Sequence, residues 1–257
     1  LKSLKQYGLI GYPLSHSFSK KYFTEKFEKE NITDSEYHLF SIEHLSQFPK
    51  LLATHPQLCG LNVTIPYKQS IIPFLDELDT TAKAVGAVNC IKVIAGKGNH
   101  LSTLIGYNTD VVGFKQSIKP FLEIQHERAL ILGTGGAAKA VAYVLKEIGI
   151  DCFFVSRTKK TGTTENVFLY EELNEHIINA FKLIVNTTPV GMYPNVNDAP
   201  QLPYQFIQPA HLLYDLVYNP TETEFLKKGK QQGASAINGL SMLHLQAEEA
   251  WRVWNKL

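Results

Sequence analysis

The chain has 257 residues, 44% of them apolar and 19% charged, enough to bury the cores of two modest domains and too apolar for a disordered chain. Its 25 Lys and Arg against 24 Asp and Glu leave a formal charge of +1, which excludes a general attraction for nucleic acid or an anionic membrane. Any anionic partner is then met locally, as a small ligand.

No run approaches the roughly 20 apolar residues of a membrane span. The opening Leu1-Lys2-Ser3-Leu4-Lys5-Gln6-Tyr7-Gly8 shows no apolar signal core and no small-residue cleavage site. Cys59, Cys90 and Cys152 have no C-x-x-C or Cys/His metal spacing, so the expectation is no metal, inert thiols and a reducing, cytoplasmic setting.

Short apolar runs alternate with amphipathic stretches, the pattern of an α/β protein. In chain order, the residues predict a strand at Tyr7–Ile10, a helix from Ser17 to Glu30, and strands at Tyr37–Phe40 and Leu58–Val63. A helix over Ile71–Leu78 and a strand over Ala87–Val93 follow. From Arg128 the register is cleaner. Ala129–Leu132 reads as a strand bounded by Gly133, and Ala137, Val141, Val144, Leu145 and Ile148 recur at helical spacing until Gly149. Cys152–Val155, Leu183–Val185, Leu212–Val217 and Ala234–Ile237 are further strands, Pro194–Pro209 is a loop, and Ser241–Trp254 is a closing helix. A boundary near Gly106 divides residues 1–105 from a βαβ-built domain over 106–238, and the C-terminal helix, within 239–257, returns to the first domain.

Gly133-Thr134-Gly135-Gly136-Ala137-Ala138 lies between a strand and a helix, where a dinucleotide-binding fingerprint belongs. Glycines let the backbone turn and approach a pyrophosphate, whose charge the free N–H groups and dipole of the helix start would hold. The bland alternative is a tight turn with no ligand. The next strand ends in Ser156-Arg157-Thr158-Lys159-Lys160, where an NAD site wants a carboxylate for the ribose hydroxyl. A basic end suits a 2′-phosphate instead, so the residues favour NADP over a merely solvated turn.

Other polar residues have two readings. Lys68, in Thr64-Ile65-Pro66-Tyr67-Lys68, is expected in the first turn of a helix, where it opposes the dipole; it is either a ligand group or a solvated surface lysine. Asp110 precedes the apolar Val111-Val112-Phe114 and reads first as a helix cap. Ser15 and Ser17 flank the loop residue His16; they either shape and cap the helix start or grip a carboxylate there. Asn89 is a satisfied core amide or a ligand contact.

Pro13-Leu14-Ser15-His16-Ser17, Asn62 to Lys68, Gly86 to Asn89, Gly106 to Asp110 and the glycine loop form an ordered set. Asn186-Thr187-Thr188-Pro189-Val190-Gly191-Met192, Asp215 to Pro220, and Gly239 to Leu243 with Gln246 complete it. In order and spacing this set resembles the shikimate dehydrogenase family over nearly the whole chain.

The resemblance implies a two-domain α/β fold, with an N-terminal mixed α/β substrate domain and a Rossmann-type NADP-binding domain. The activity implied is reversible NADPH-dependent reduction of 3-dehydroshikimate to shikimate, a step of aromatic amino acid (chorismate) biosynthesis, by a monomer or homodimer. It implies that Lys68 and Asp110 are the catalytic pair, the lysine hydrogen-bonded to the carboxylate and protonating the carbonyl oxygen in a cleft between the domains. Ser15, Ser17, Thr64, Asn89, Tyr218 and Gln246 would bind substrate. Asn186, Thr187, Leu216 and Gly239 would join the glycine loop and Ser156 to Lys159 around the cofactor, on its nicotinamide side. Ser156 stands where the family has Asn, and Lys159 and Lys160 where a second Arg is usual; Cys90 replaces a frequent Thr.

A quinate/shikimate dehydrogenase with relaxed cofactor choice is the nearest rival. A methyltransferase would want an acidic residue where Arg157 lies, and a non-catalytic NADP sensor would not need Lys68 and Asp110.

Overall fold

The computed structural model describes residues 4–14, 17–96, 102–158 and 166–256. The chain divides into two compact units, Leu1–Thr109 with Ala247–Leu257, and Asp110–Gln246.

The first unit is built on β1 (Lys5–Gly11), α1 (Phe18–Lys29), β2 (Ser35–Ser41), α2 (Phe48–Thr54), β3 (Leu58–Val63), β4 (Glu77–Leu78), α3 (Thr80–Val85), β5 (Cys90–Ile94) and β6 (Thr103–Tyr107). Its six strands run in the order β2-β1-β3-β5-β6-β4. β1 is parallel to β2 and β3, whereas β5 is antiparallel to both β3 and β6, which makes the sheet mixed.

Successive side chains of a strand point to opposite faces, and both faces of this sheet are covered. Ile10, Leu61 and Ile91 pack with Phe48, Ile71 and Val88 on one side. Tyr7, Leu9 and Tyr37 pack with Phe23, Phe27 and Trp254 on the other. Trp254 comes from the last helix, α8 (Leu240–Asn255). Its ring lies over Gly60, where an added Cβ would sit 2.3 Å from the indole, and its Nε1–H donates to the Ile91 carbonyl at 3.0 Å. Glycine at 60 is thus what admits the tryptophan.

The second unit comprises α4 (Thr109–Ile118, from its second residue), β7 (Arg128–Leu132), α5 (Gly136–Glu147), β8 (Asp151–Ser156), β9 (Val167–Leu169), α6 (Glu175–Ala180), β10 (Leu183–Asn186), β11 (Leu212–Asp215), α7 (Glu224–Gln231), β12 (Ser235–Ile237) and the start of α8. Its strands run β12-β11-β10-β7-β8-β9, and every neighbouring pair is parallel. Numbered from β7, that is the doubly wound order 3-2-1-4-5-6 of a Rossmann fold, whose direction reverses between the first and fourth strands. Leu130, Leu132, Ile184 and Leu213 build the core with Phe181, Ile207 and Phe225.

The helix predicted over Ile71–Leu78 is absent. Pro73 lacks an N–H and disfavours the helical region for Ile72, so the segment forms a 3-10 turn at Ile72–Phe74 and then β4. No α-helix follows Pro66 either, and Lys68 lies in a turn. The strand expected from Ala87 begins at Cys90, because residues 86–89 are used in the loop that follows the left-handed Gly86. Asp110 lies within the first turn of α4 rather than at the position before it.

Burial suppresses the thiolates, pushing the Cys152 thiol up to about 12 and that of Cys59 upward. Among the described residues, no helix is long and apolar enough to cross a membrane.

Candidate active site

In a sheet with parallel strands, ligands gather where the strands' carboxyl ends leave backbone groups and loop side chains unpaired. The first unit places Ser17, Thr64, Lys68 and Asn89 at that edge.

Ser17 precedes α1 with extended backbone, and its Oγ accepts the Lys20 N–H at 3.4 Å. That is the capping role; a hydroxyl that accepts keeps its own proton to donate, so the cap does not exclude a carboxylate. Ser15 lies outside the described residues. Half-buried Thr64 follows β3, held by its N–H to the Ile10 carbonyl at 2.9 Å. Lys68, also half-buried, is fixed through its carbonyl, which accepts the Val88 N–H at 2.7 Å.

Asn89 is 2% exposed. Its Oδ1 accepts the Thr109 N–H at 2.6 Å and its Nδ2 donates to Thr109 Oγ1 at 3.0 Å. The amide therefore clamps the residue that immediately precedes Asp110. Asn62, not singled out in the sequence, extends this buried chain: it accepts from the Tyr37 hydroxyl at 2.7 Å and donates to the Asn89 carbonyl at 3.4 Å.

In the second unit Asp110 is buried in the first turn of α4. α4 also meets the first turns of α8 closely. A Cβ at Gly113 would lie 2.7 Å from the Met242 carbonyl and 3.0 Å from Gln246 Cβ, so glycine brings the helices bearing Asp110 and Gln246 together. Tyr218 is half-buried beyond β11, and burial raises its phenol above the ordinary range.

The glycine loop has the geometry its sequence calls for. Gly133 ends β7 at φ +104, which L side chains avoid, and a Cβ there would press on Thr187 Oγ1 at 3.0 Å. A Cβ at Gly135 would meet nothing within 4 Å, so the space before the helix is open. No side chain caps α5 at Gly135, and a helix start left uncapped in this way is of the kind that can take an anion. Ala138 is fully buried. These features fit the diphosphate of a dinucleotide.

At the end of β8, Ser156 Oγ accepts the Thr158 N–H at 3.4 Å, and Arg157 is exposed on the turn between them. Lys159 lies outside the described residues. Thr187 Oγ1 donates to the Leu132 carbonyl at 2.6 Å, tying the β10 loop to the glycine turn. The Leu216 N–H donates to the Asn186 carbonyl at 2.9 Å, and a Cβ at Gly239 would lie 2.2 Å from the Leu216 carbonyl oxygen. Asp215 and Thr223, given no site role by the sequence, are both 0% exposed beside these positions; an aspartate at a strand end carries no signal of burial.

Residues 9–91 match the family model described as the shikimate dehydrogenase substrate binding domain. A protein from Carboxydothermus hydrogenoformans named shikimate dehydrogenase (NADP(+)) is 39% identical over 259 residues, spanning 96% of this chain and 90% of that one. The chain belongs to the shikimate dehydrogenase family. Within it, the shikimate 5-dehydrogenase of Thermus thermophilus, solved in complex with NADP(H) and shikimate, is 28% identical with a TM-score of 0.83, covering 98% of this chain and 94% of that one. A quinate dehydrogenase from Corynebacterium glutamicum in complex with NAD shares the fold at a TM-score of 0.84, with 26% identity over 99% of this chain and 95% of that one.

Proposed function

We propose that this protein is an NADP-dependent oxidoreductase acting on a CH–OH group, which interconverts 3-dehydroshikimate and shikimate in aromatic amino acid biosynthesis. The observation that carries this reading is near-full-length likeness to an NADP(+)-dependent shikimate dehydrogenase. The β8 end of this chain agrees with it, since Ser156-Arg157-Thr158 offers hydroxyls and a guanidinium, and no carboxylate, to a 2′-phosphate. Quinate with NAD is not favoured for the same reason.

When bound, NADPH supplies the hydride that reduces the substrate carbonyl. Gly133, Thr134, Gly135, Gly136 and Ala137 hold its diphosphate, Ser156 to Lys159 its 2′-phosphate, and Asn186, Thr187, Leu216 and Gly239 its nicotinamide half. Lys68 and Asp110 are the catalytic pair: the Lys68 ammonium donates to the carbonyl oxygen as negative charge grows there, and Asp110 fixes the direction of that donation. Ser15 and Ser17 take the substrate carboxylate, and Thr64, Asn89, Tyr218 and Gln246 its ring oxygens. The first unit is the substrate domain and the second the NADP domain.

The test is absorbance-monitored nicotinamide reduction with shikimate and quinate, each crossed with NADP and NAD. Activity confined to shikimate with NADP is expected. Comparable rates with quinate or NAD would move the protein to the dual-specificity class, and no activity with any pair would refute the assignment.

A further inference from the structure

Asp215 closes β11 with its side chain fully buried. Among the described residues, no cation pairs with it. Burying a carboxylate is expensive, and burial pushes this one up to about 6 against the pull of its donors.

Those donors are specific. Asn186 Nδ2 reaches Oδ1 at 2.9 Å, the Val217 N–H reaches the same oxygen at 3.0 Å, and the Thr223 hydroxyl reaches Oδ2 at 2.5 Å. An ionised carboxylate only accepts, so the Asn186 amide has to turn its NH2 toward Asp215. Its Oδ1 is thereby aimed at Thr188, accepting the Thr188 N–H at 3.0 Å and hydroxyl at 2.6 Å. A hydroxyl at 215, which both donates and accepts, would leave that half-turn open.

The neighbouring backbone is held as well. Val217 is pinned by its N–H to Asp215, and its carbonyl accepts the Gly239 N–H at 3.2 Å. Leu216 is thus fixed between Asp215 and Val217. Asn186 meets the buried carboxylate directly, and Leu216 and Gly239 are tied to it through the Asn186 and Val217 backbone.

We propose that Asp215 is a positioning residue for the nicotinamide half of the cofactor site, acting through the Asn186 amide and the Leu216–Val217 backbone while touching neither cofactor nor substrate. This rests on the NADP assignment above. The adenine half, held at β8, is outside its reach.

The test compares full-length wild type, Asp215→Ala and Asp215→Asn. Each is titrated with NADP and with adenosine 2′,5′-bisphosphate, which has the 2′-phosphate and no nicotinamide, and assayed for shikimate oxidation. In Asp215→Ala, NADP affinity and kcat each fall about tenfold, the cost of unpairing buried donors. Bisphosphate affinity and the KM for shikimate stay within about twofold, the scale of a change that leaves their contacts alone. Asp215→Asn keeps one oxygen toward Asn186 and Val217 and turns its amide to Thr223, and it recovers most of both losses.

Unchanged NADP affinity and kcat in Asp215→Ala would overturn the proposal, and so would equal loss of both ligands, which marks general loosening of the unit. If the alanine variant does not fold, Asp215→Ser replaces it: its hydroxyl both donates and accepts, so it no longer dictates the amide's direction. The same split between NADP and bisphosphate is expected there, and its absence overturns the idea. Wild type that binds NADP without oxidising shikimate refutes the substrate reading alone, because the affinity ratios still report on Asp215. Wild type that binds no NADP refutes both.

Discussion

Arg157 offers the sharpest test of cofactor choice, because among the described residues no hydrogen bond or ion pair of the fold depends on its side chain. It is exposed on the turn after β8, the turn itself is held by Ser156 and Thr158, and among the described residues no carboxylate lies within ion-pair distance of it. Surface changes of that kind move stability by about 0.5 kcal/mol or less, so a larger effect on binding reports on the ligand. A charge-assisted hydrogen bond contributes about 1.5–3 kcal/mol. Exposure and salt pull such a contact toward the lower end. With about 1.4 kcal/mol to a factor of ten, Arg157→Ala weakens NADP about tenfold at moderate salt, and more at low salt. NAD lacks the 2′-phosphate, and its affinity stays within about twofold, the scale of an untouched contact. Arg157→Asp goes further, since a carboxylate there repels the phosphate and accepts from a free ribose hydroxyl. The assay is titration of both cofactors at two ionic strengths, with KM for each in the shikimate reaction. Equal weakening of NADP and NAD, or an NADP loss indifferent to salt, would refute the reasoning.

Lys68→Ala should lower kcat by about 10²–10⁴, the usual worth of a positioned proton donor, while the KM for shikimate rises much less; collapse of binding with turnover intact would make Lys68 a binder. Gly239→Ala puts a Cβ 2.2 Å from the Leu216 carbonyl oxygen, a backbone clash with no rotamer to relieve it, and NADP binding in titration should be lost before bisphosphate binding is. Trp254→Ala removes a side chain 5% exposed that stacks on Tyr7 with ring centroids 4.9 Å apart. It should cost about 3–5 kcal/mol in denaturant unfolding, and a loss under about 1 kcal/mol would mean that α8 does not hold the sheet. Burial lowers His126 and His211 below their ordinary pKa, so the folded state binds fewer protons than the unfolded one just below about 6.5. Their contribution is intact above that pH and lost as pH falls through the depressed values. Asp215, raised to about 6, acts in the opposite sense, so the melt is best followed in Asp215→Asn, where a midpoint flat from pH 7 to 5.5 would contradict the histidine argument.

The second unit was the more legible half because its signals are local. Gly133 and Gly149 both adopt the positive φ that their positions between strand and helix call for, and the strand–glycine–helix order names the fold. The first unit mixes parallel and antiparallel strands, and its short elements leave weak patterns. α3 is bracketed by a capping Asp79 and a left-handed Gly86, both visible in the sequence, yet six residues are too few for a periodic apolar face. The false helix over Ile71–Leu78 shows the converse: apolar spacing outweighed Pro73, although a proline inside the pattern was the better guide.

Sequence names the chemistry a residue can perform, but not whether water still reaches it, and at this site that difference separates roles. Ser17 and Asn89 each admitted a structural and a functional reading. For Ser17 the two are compatible, since a capping hydroxyl keeps its proton. For Asn89 the clamp on Thr109 occupies both ends of the amide, so its part in substrate binding has to come from an additional contact or through the Asp110 that follows Thr109. Asn89→Asp would distinguish these: a carboxylate repels the Thr109 hydroxyl lone pairs unless that hydroxyl turns to donate, and it cannot donate to a substrate oxygen at all. If kcat falls with little change in the KM for shikimate, Asn89 acts through Asp110; if KM carries the loss, the amide itself holds a ring oxygen.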